Sequence, residues 1–186
     1  MRYTYSVTLE HIYISPGHNY FGRPKDGPGP HTTPDVAEVM ACAGLGLLGD
    51  RYYGVAAHFN AQVSFIAAEV LDALADALNL ETVAPRLPRR NIVTRGINLN
   101  QLIGREFALV ANGDVVHLEG AKACSPCAWM DAAIGAGAHA FLRGRGGLRA
   151  RILTDGTLHR GPVQLQTDFE LDTTTLCAPL ARPRLP

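Results

Sequence analysis

The dipeptide Asn112-Gly113 does most to limit what this chain can fold into. It stands between two strand-like runs, Glu106-Phe107-Ala108-Leu109-Val110 and Asp114-Val115-Val116-His117-Leu118-Glu119. Both of its residues tolerate the left-handed backbone that a tight hairpin turn needs, so the two runs are predicted to pair antiparallel. Further short runs repeat the pattern at His11–Ile14, Asp35–Ala43, Gln62–Ile66, Ile92–Thr94, Leu148–Leu153 and Val163–Gln166. Glycine, proline, asparagine or aspartate follows these runs closely, except that Gln62–Ile66 leads straight into a helical segment. The Asp35–Ala43 run is mildly apolar on both faces, which suggests a buried strand. Leu148–Leu153 and Val163–Gln166, with Thr154-Asp155-Gly156-Thr157 after the first, read as a final hairpin-like pair.

One segment has helical periodicity over several turns. In Ala67–Leu80 the apolar Val70, Leu71, Leu74, Ala77 and Leu78 fall on one side and Glu69, Asp72 and Asp76 on the other. A shorter alanine-rich helix is expected over Trp129–His139, weakened by Gly135 and Gly137. Many short strands, one good helix and tight turns predict a mostly β fold, a barrel with a few α-helices, and not a parallel sheet. A chain of 186 residues suits a single domain. Its proline-rich end, from Pro179 to Pro186, is expected to be loosely ordered.

Lysine plus arginine and aspartate plus glutamate number 17 each, so no global charge draws the chain to nucleic acid or a membrane. No stretch approaches 18 apolar residues, and nothing at the start reads as a leader. Cys42, Cys124, Cys127 and Cys177 are not spaced like a secreted disulfide scaffold, so a cytoplasmic location with reduced thiols is expected.

The chemistry concentrates at Glu119–Asp131, where Cys124-Ser125-Pro126-Cys127 follows the hairpin's second strand. Pro126 suits a helix opening at Cys127, and a helix N-terminus favours a thiolate. The alternative is that both cysteines are small buried hydrophobes. Two basic segments lack acids: Arg86, Arg89, Arg90 and Arg95 in one, Arg143, Arg145, Arg149 and Arg151 in the other. Brought together they would make an anion site; apart, each is a solvated face. The loop from His18 to Pro34 is too rich in glycine and proline for regular structure, and His18 is its candidate acid or base. Gly49-Asp50-Arg51 reads as a turn fixing an Asp-Arg pair. No phosphate loop, paired-histidine motif or second Cys-x-x-Cys is present, which argues against nucleotide and zinc sites. A thioredoxin-like protein would use Cys-x-x-Cys but needs a parallel-sheet pattern that is missing.

Five stretches in order, Gly46–Arg51, Arg89–Ile92, Gly96–Gly104, Cys124–Cys127 and Gly144–Gly147, resemble a MOSC domain, the module named for the C-terminal part of molybdenum cofactor sulfurase. The resemblance covers about residues 10 to 167 and leaves 168 to 186 as a tail. It implies a β-barrel and a functional cysteine at Cys127, which would be the molybdenum ligand or sulfur carrier, with Cys124 assisting or packing. It also implies a molybdenum cofactor whose pterin phosphate meets Arg89, Arg90, Asn91, Arg143 and Arg145, with Arg51 in support, and a role in reducing N-hydroxylated compounds. The similarity is to stand-alone bacterial members. No pyridoxal-phosphate domain and no ferredoxin-like domain is recognisable, so sulfur or electrons would come from a partner protein. The competing expectation is a metal-free cysteine enzyme that transfers sulfur or cleaves a carbon-sulfur bond, with His18 as acid or base.

Overall fold

The computed structural model describes residues 1–181. Seven strands close into a barrel: β1 (Tyr3–Ile12), β4 (Val63–Ala67), β5 (Ile92–Arg95), β6 (Glu106–Ala111), β7 (Asp114–Ala123), β8 (Leu148–Ile152) and β10 (Gly161–Thr167). Around the barrel they run β1-β10-β6-β7-β8-β4-β5, and β5 returns to β1. A small second sheet, β3-β2-β9, is made of β3 (Gly46–Leu47), β2 (Glu38–Cys42) and β9 (Gly156–His159). Three helices complete the fold: α1 (Ala68–Leu78), α2 (Trp129–Ala133) and α3 (Ala138–Phe141). No helix among the described residues is long and apolar enough to cross a membrane.

Closure follows from the alternation that the sequence carries. Leu9, Phe65, Ile92, Phe107, Leu118, Leu148, Ala150 and Leu165 share the inward face and are buried, each strand supplying alternate residues to one core. The Asn112-Gly113 reversal joins β6 to β7 in register, with Ala111 opposite Asp114 and Leu109 opposite Val116. Asn112 and Gly113 both adopt positive φ, 54° and 89°. Among the described barrel strands the parallel pair is β4 with β5, connected through α1, whose buried Val70, Leu71 and Leu74 cover that seam. α1 ends at Leu78, two residues inside the expected Ala67–Leu80 span, and is capped by Asn79 in the left-handed conformation.

Several expectations need correction. β1 begins at Tyr3, well before His11, because Ser6 and Thr8 alternate with the buried Val7 and Leu9. β2 buries only one face: Val39 and Ala41 are inside, while Glu38 and Met40 are exposed. β8 and β10 are not a hairpin. β8 lies between β7 and β4, β10 lies between β1 and β6, and β9 leaves the barrel to pair with β2. The alternation of Val163 and Leu165 fixes which face is buried but fits any neighbour, so it does not choose the partner. The helix expected over Trp129–His139 is split into α2 and α3, with Gly135 and Gly137 at positive φ between them. The chain after β10 is held up to Ala181, with Leu180 N–H bonded to the Gly144 carbonyl at 2.8 Å. Residues 182–186 of the expected loose end lie outside the described residues.

Candidate functional site

Arg89 is the hub of the site. It ends the turn after Pro85 and Pro88, where its N–H bonds the Arg86 carbonyl, and it adopts φ +62°. A side chain as large as arginine in the left-handed region is a strained conformation of the kind that collects at functional sites. Its Nη2 donates to Cys127 Sγ at 3.2 Å. Its Nη1 lies 3.4 Å from His18 Nε2, its guanidinium rests over Tyr20 at 4.9 Å, and its buried Nε has no partner.

Cys127 does not open a helix. α2 starts at Trp129, Ala128 is its cap, and the Cys127 carbonyl accepts from Met130 N–H at 2.9 Å. The cation that meets the sulfur is therefore the Arg89 guanidinium, not the end of a five-residue helix. Cys124 is buried. All four cysteines are free thiols.

The loop from His18 to Pro34 covers this region. Asn19 clamps its two ends by bonding His31 through both carbonyl oxygen and amide, at 2.8 and 2.6 Å. Trp129 Nε1 donates to the Gly22 carbonyl at 3.1 Å, and Tyr20 packs on the Trp129 ring. His18 Nδ1 accepts from Tyr20 N–H at 3.2 Å, and the donor Arg89 Nη1 faces Nε2 at 3.4 Å, so both ring nitrogens look onto N–H groups. Burial, then Arg89 and Arg51, push the His18 pKa below the usual imidazole value. The ring is neutral at pH 7, which suits a base more than an acid.

Asp50, Asn91 and Ser64 brace the arginines. The buried Asp50 carboxylate accepts from Ser15 N–H, Tyr52 N–H and Asn91 Nδ2 at 3.1 to 3.2 Å, and it lies 3.6 Å from Arg51 Nη1. The turn does fix the expected Asp-Arg pair. Asn91 gives its amide to Tyr13 O and Asp50 and receives from Ser64 at N and Oγ. That amide is spent within the protein, so Asn91 positions its neighbours and has no free group for a ligand.

Two cavities meet at this wall. The larger, about 480 Å³, takes in His18, Tyr20, Arg51, Arg86, Arg89 and Arg90. The smaller, about 110 Å³, shares His18, Arg51, Arg89 and Arg90 and adds Cys124 and Arg149. Arg90 is anchored, its Nε to the Gly146 carbonyl at 2.8 Å and its Nη1 to Pro88 O at 2.9 Å.

The second basic segment does not join as expected. Arg143 is exposed. Arg145 bonds the carbonyls of Cys177 and Phe141 at 3.0 and 3.2 Å, which ties the C-terminal segment down. Its contribution to the site is Gly146, whose Cα approaches the Cys124 carbonyl too closely for a side chain. Arg149, with Tyr52 and His58, is brought in instead. The signal for Arg149 was present: in Leu148-Arg149-Ala150 the flanking residues are buried and Arg149 faces the other way.

Burial, Arg149 and Arg51 also depress the His58 pKa. Both histidines therefore bind a proton more weakly in the folded chain than in the unfolded one. As pH falls through the ordinary imidazole range, near ~6.5, the unfolded chain takes up protons first and the native state loses stability. Urea midpoints should drop between pH 7.5 and 5.5, and part of that slope should vanish in a His18→Asn, His58→Asn double variant. An unchanged slope would assign it to other groups.

A MOSC domain match spans residues 44–163, which includes β3 through the start of β10 and the cysteine loop. The chain belongs to the MOSC domain family. Solved structures agree on the fold. The YuaD protein from Bacillus subtilis superposes with a TM-score of 0.67 at 16% identity, over 90% of this chain and 99% of that one. YiiM from Geobacillus stearothermophilus gives 0.59 at 10% identity, over 86% and 75%. YiiM from Escherichia coli gives 0.55 at 17% identity, over 89% and 75%. No curated protein matches the sequence. The MOSC barrel is thus the frame on which β5, β7 and β4 carry the arginine turn, the cysteine loop and Ser64 to one place.

Proposed function

We propose that this MOSC-domain protein holds a molybdenum-pterin cofactor, or sulfur destined for it, at Cys127, and that it serves in the reduction of N-hydroxylated compounds. The observation that carries the reading is the 3.2 Å contact of Arg89 Nη2 with Cys127 Sγ beside an arginine-lined cavity of about 480 Å³. That volume is ordinary for a cofactor or small-ligand pocket.

The residues fit such a group. Sulfur is a soft donor suited to molybdenum or to a sulfane sulfur, and guanidinium forks match a phosphate. The buried Nε atoms of Arg51 and Arg89 have no protein partner, as expected of donors kept for a ligand. No group of three or more His, Cys, Asp or Glu among the described residues could hold a metal alone, so the cofactor would bring the metal's remaining ligands. Cys127 would hold the metal and Arg86, Arg89 and Arg51 the phosphate. Bound there, the cofactor would supply the redox chemistry. The chain's own part is to orient it, to cover it with the His18–Pro34 loop and to offer His18 as a base. A separate protein would donate electrons or sulfur.

The neutral His18 beside Arg89 favours a second reading, a metal-free cysteine enzyme of sulfur transfer or carbon-sulfur cleavage. The two separate on one measurement. Protein purified from a host that makes the cofactor should contain molybdenum and pterin in near-equal amounts. Protein without either, carrying a persulfide on Cys127, would overturn the first reading for the second.

A further inference from the structure

The smaller cavity is a site in its own right. Its wall carries Arg51, Arg89, Arg90 and Arg149, with no carboxylate among the residues that line it. Among the described residues Arg149 makes no ion pair, unlike Arg95 and Arg151 on the same barrel, which meet Glu10 and Glu119. Arg51 lies over the Tyr52 ring at 4.5 Å, and that ring stacks on His58 at 3.8 Å, so the cation and the imidazole are held as one rigid stack. The Arg51 Nε and Arg89 Nε are buried without partners. Asp50, behind the wall, meets Arg51 at 3.6 Å; the remaining like charges repel one another, and gathering them is costly unless an anion joins them.

Size narrows the anion. About 110 Å³ is the share of roughly three or four waters, since one water occupies ~30 Å³. A pterin does not fit there. A tetrahedral oxyanion does, and its oxygens can be divided between the guanidiniums of Arg51 and Arg149 and the Nη2 of Arg90, whose Nε and Nη1 are bonded to carbonyls. His58 on the same wall adds a ring N–H that needs no charge of its own.

We propose that the cavity between Arg51, Arg90 and Arg149, walled by Cys124, is a subsite for a compact tetrahedral oxyanion, either a free inorganic ion or the sulfonate- or phosphate-like end of a small substrate. It adjoins the cavity assigned to the cofactor, with Arg51 on the wall the two share, and it is argued from its own lining and Arg149. In the chain's chemistry it marks the substrate side as anionic and places the anion next to the Cys124 thiol.

The test is calorimetric titration of the full chain with sodium sulfate and, separately, sodium methanesulfonate, at ionic strength held constant with chloride. Sulfate should bind at one site. Arg149→Gln should weaken it by about ten-fold or more, the loss expected for one charge-assisted contact, and Arg149→Lys should weaken it less. Arg86→Gln, which alters only the larger cavity, should leave it within about two-fold. Binding of sulfate alone identifies a free ion, and binding of both identifies the end group of an organic substrate. Binding that survives Arg149→Gln in a folded variant, that is lost instead in Arg86→Gln, or that is absent in the parent protein overturns the proposal. Molybdenum and pterin content of the same variants reads the cofactor assignment separately, so either idea can fail without the other.

Discussion

Cys127→Ser should abolish molybdenum retention, or persulfide formation if the metal-free reading holds, while the far-ultraviolet circular dichroism and urea midpoint stay close to those of the parent. The exchange replaces a soft sulfur by a hydroxyl that is hard and hardly ionises, yet alters little volume at a half-buried position. Its effect should exceed the roughly 10- to 100-fold that follows loss of a supporting partner. Arg89→Ala tests such a partner. It removes the 3.2 Å donor to Cys127 and the cation over Tyr20. A charge-assisted hydrogen bond of about 1.5 to 3 kcal/mol corresponds to roughly ten- to a hundred-fold in affinity. Arg145→Ala should do neither. Its two carbonyl contacts hold the C-terminal segment, so stability should fall while cofactor content holds. A folded serine variant with full metal and activity would make Cys127 a structural residue.

The second large effect is on folding. Gly147→Ala should lower stability by about 2 to 5 kcal/mol, which summed left-handed strain and overpacking predict. Gly147 sits at φ +96°, and a Cβ there would overlap the Phe65 carbonyl oxygen. Neither side can yield easily. The Gly147 carbonyl accepts from Cys124 N–H at 2.8 Å, and Phe65 pairs with both Ile92 and Leu148 in the barrel. The substitution therefore strains the β4-β8 seam and the cysteine loop together. Urea denaturation measures the loss. A midpoint equal to the parent's would show that the seam relaxes freely.

Local signals in the sequence reached some distance and then stopped. Asn112-Gly113 named both strands of its hairpin because a tight turn fixes register at close range. The stripe of Val70, Leu71 and Leu74 named α1 for the same reason. Pairings between distant strands were not legible, since β8 and β10 alternate as any neighbours would. At the site, the motif order named Arg51, Arg89, Arg90 and Asn91, the long loop singled out His18, and the structure has all five lining the larger cavity. The motif order could not show that Asn91 spends its amide on Asp50 and Tyr13, or that Arg145 turns to the C-terminal segment. Those depend on partners far along the chain. Tyr20 and His58 carried no local mark, while Arg149 was marked by its basic segment and by strand alternation.

The pairing of β1 with β10 has a kinetic meaning. Tyr3 lies opposite Thr167 and Val7 opposite Val163, so the strand made first waits for nearly the last one. While the chain is being synthesised, β1 can meet β5, but its other edge stays open until residue 167 has emerged. Contacts this distant slow folding to the millisecond-to-second range common for β-barrels. An open edge bearing Val7 and Leu9 is also a template for a neighbouring copy. Chains released before Gly161 should therefore aggregate, and yield during expression should depend on how quickly the final strand arrives.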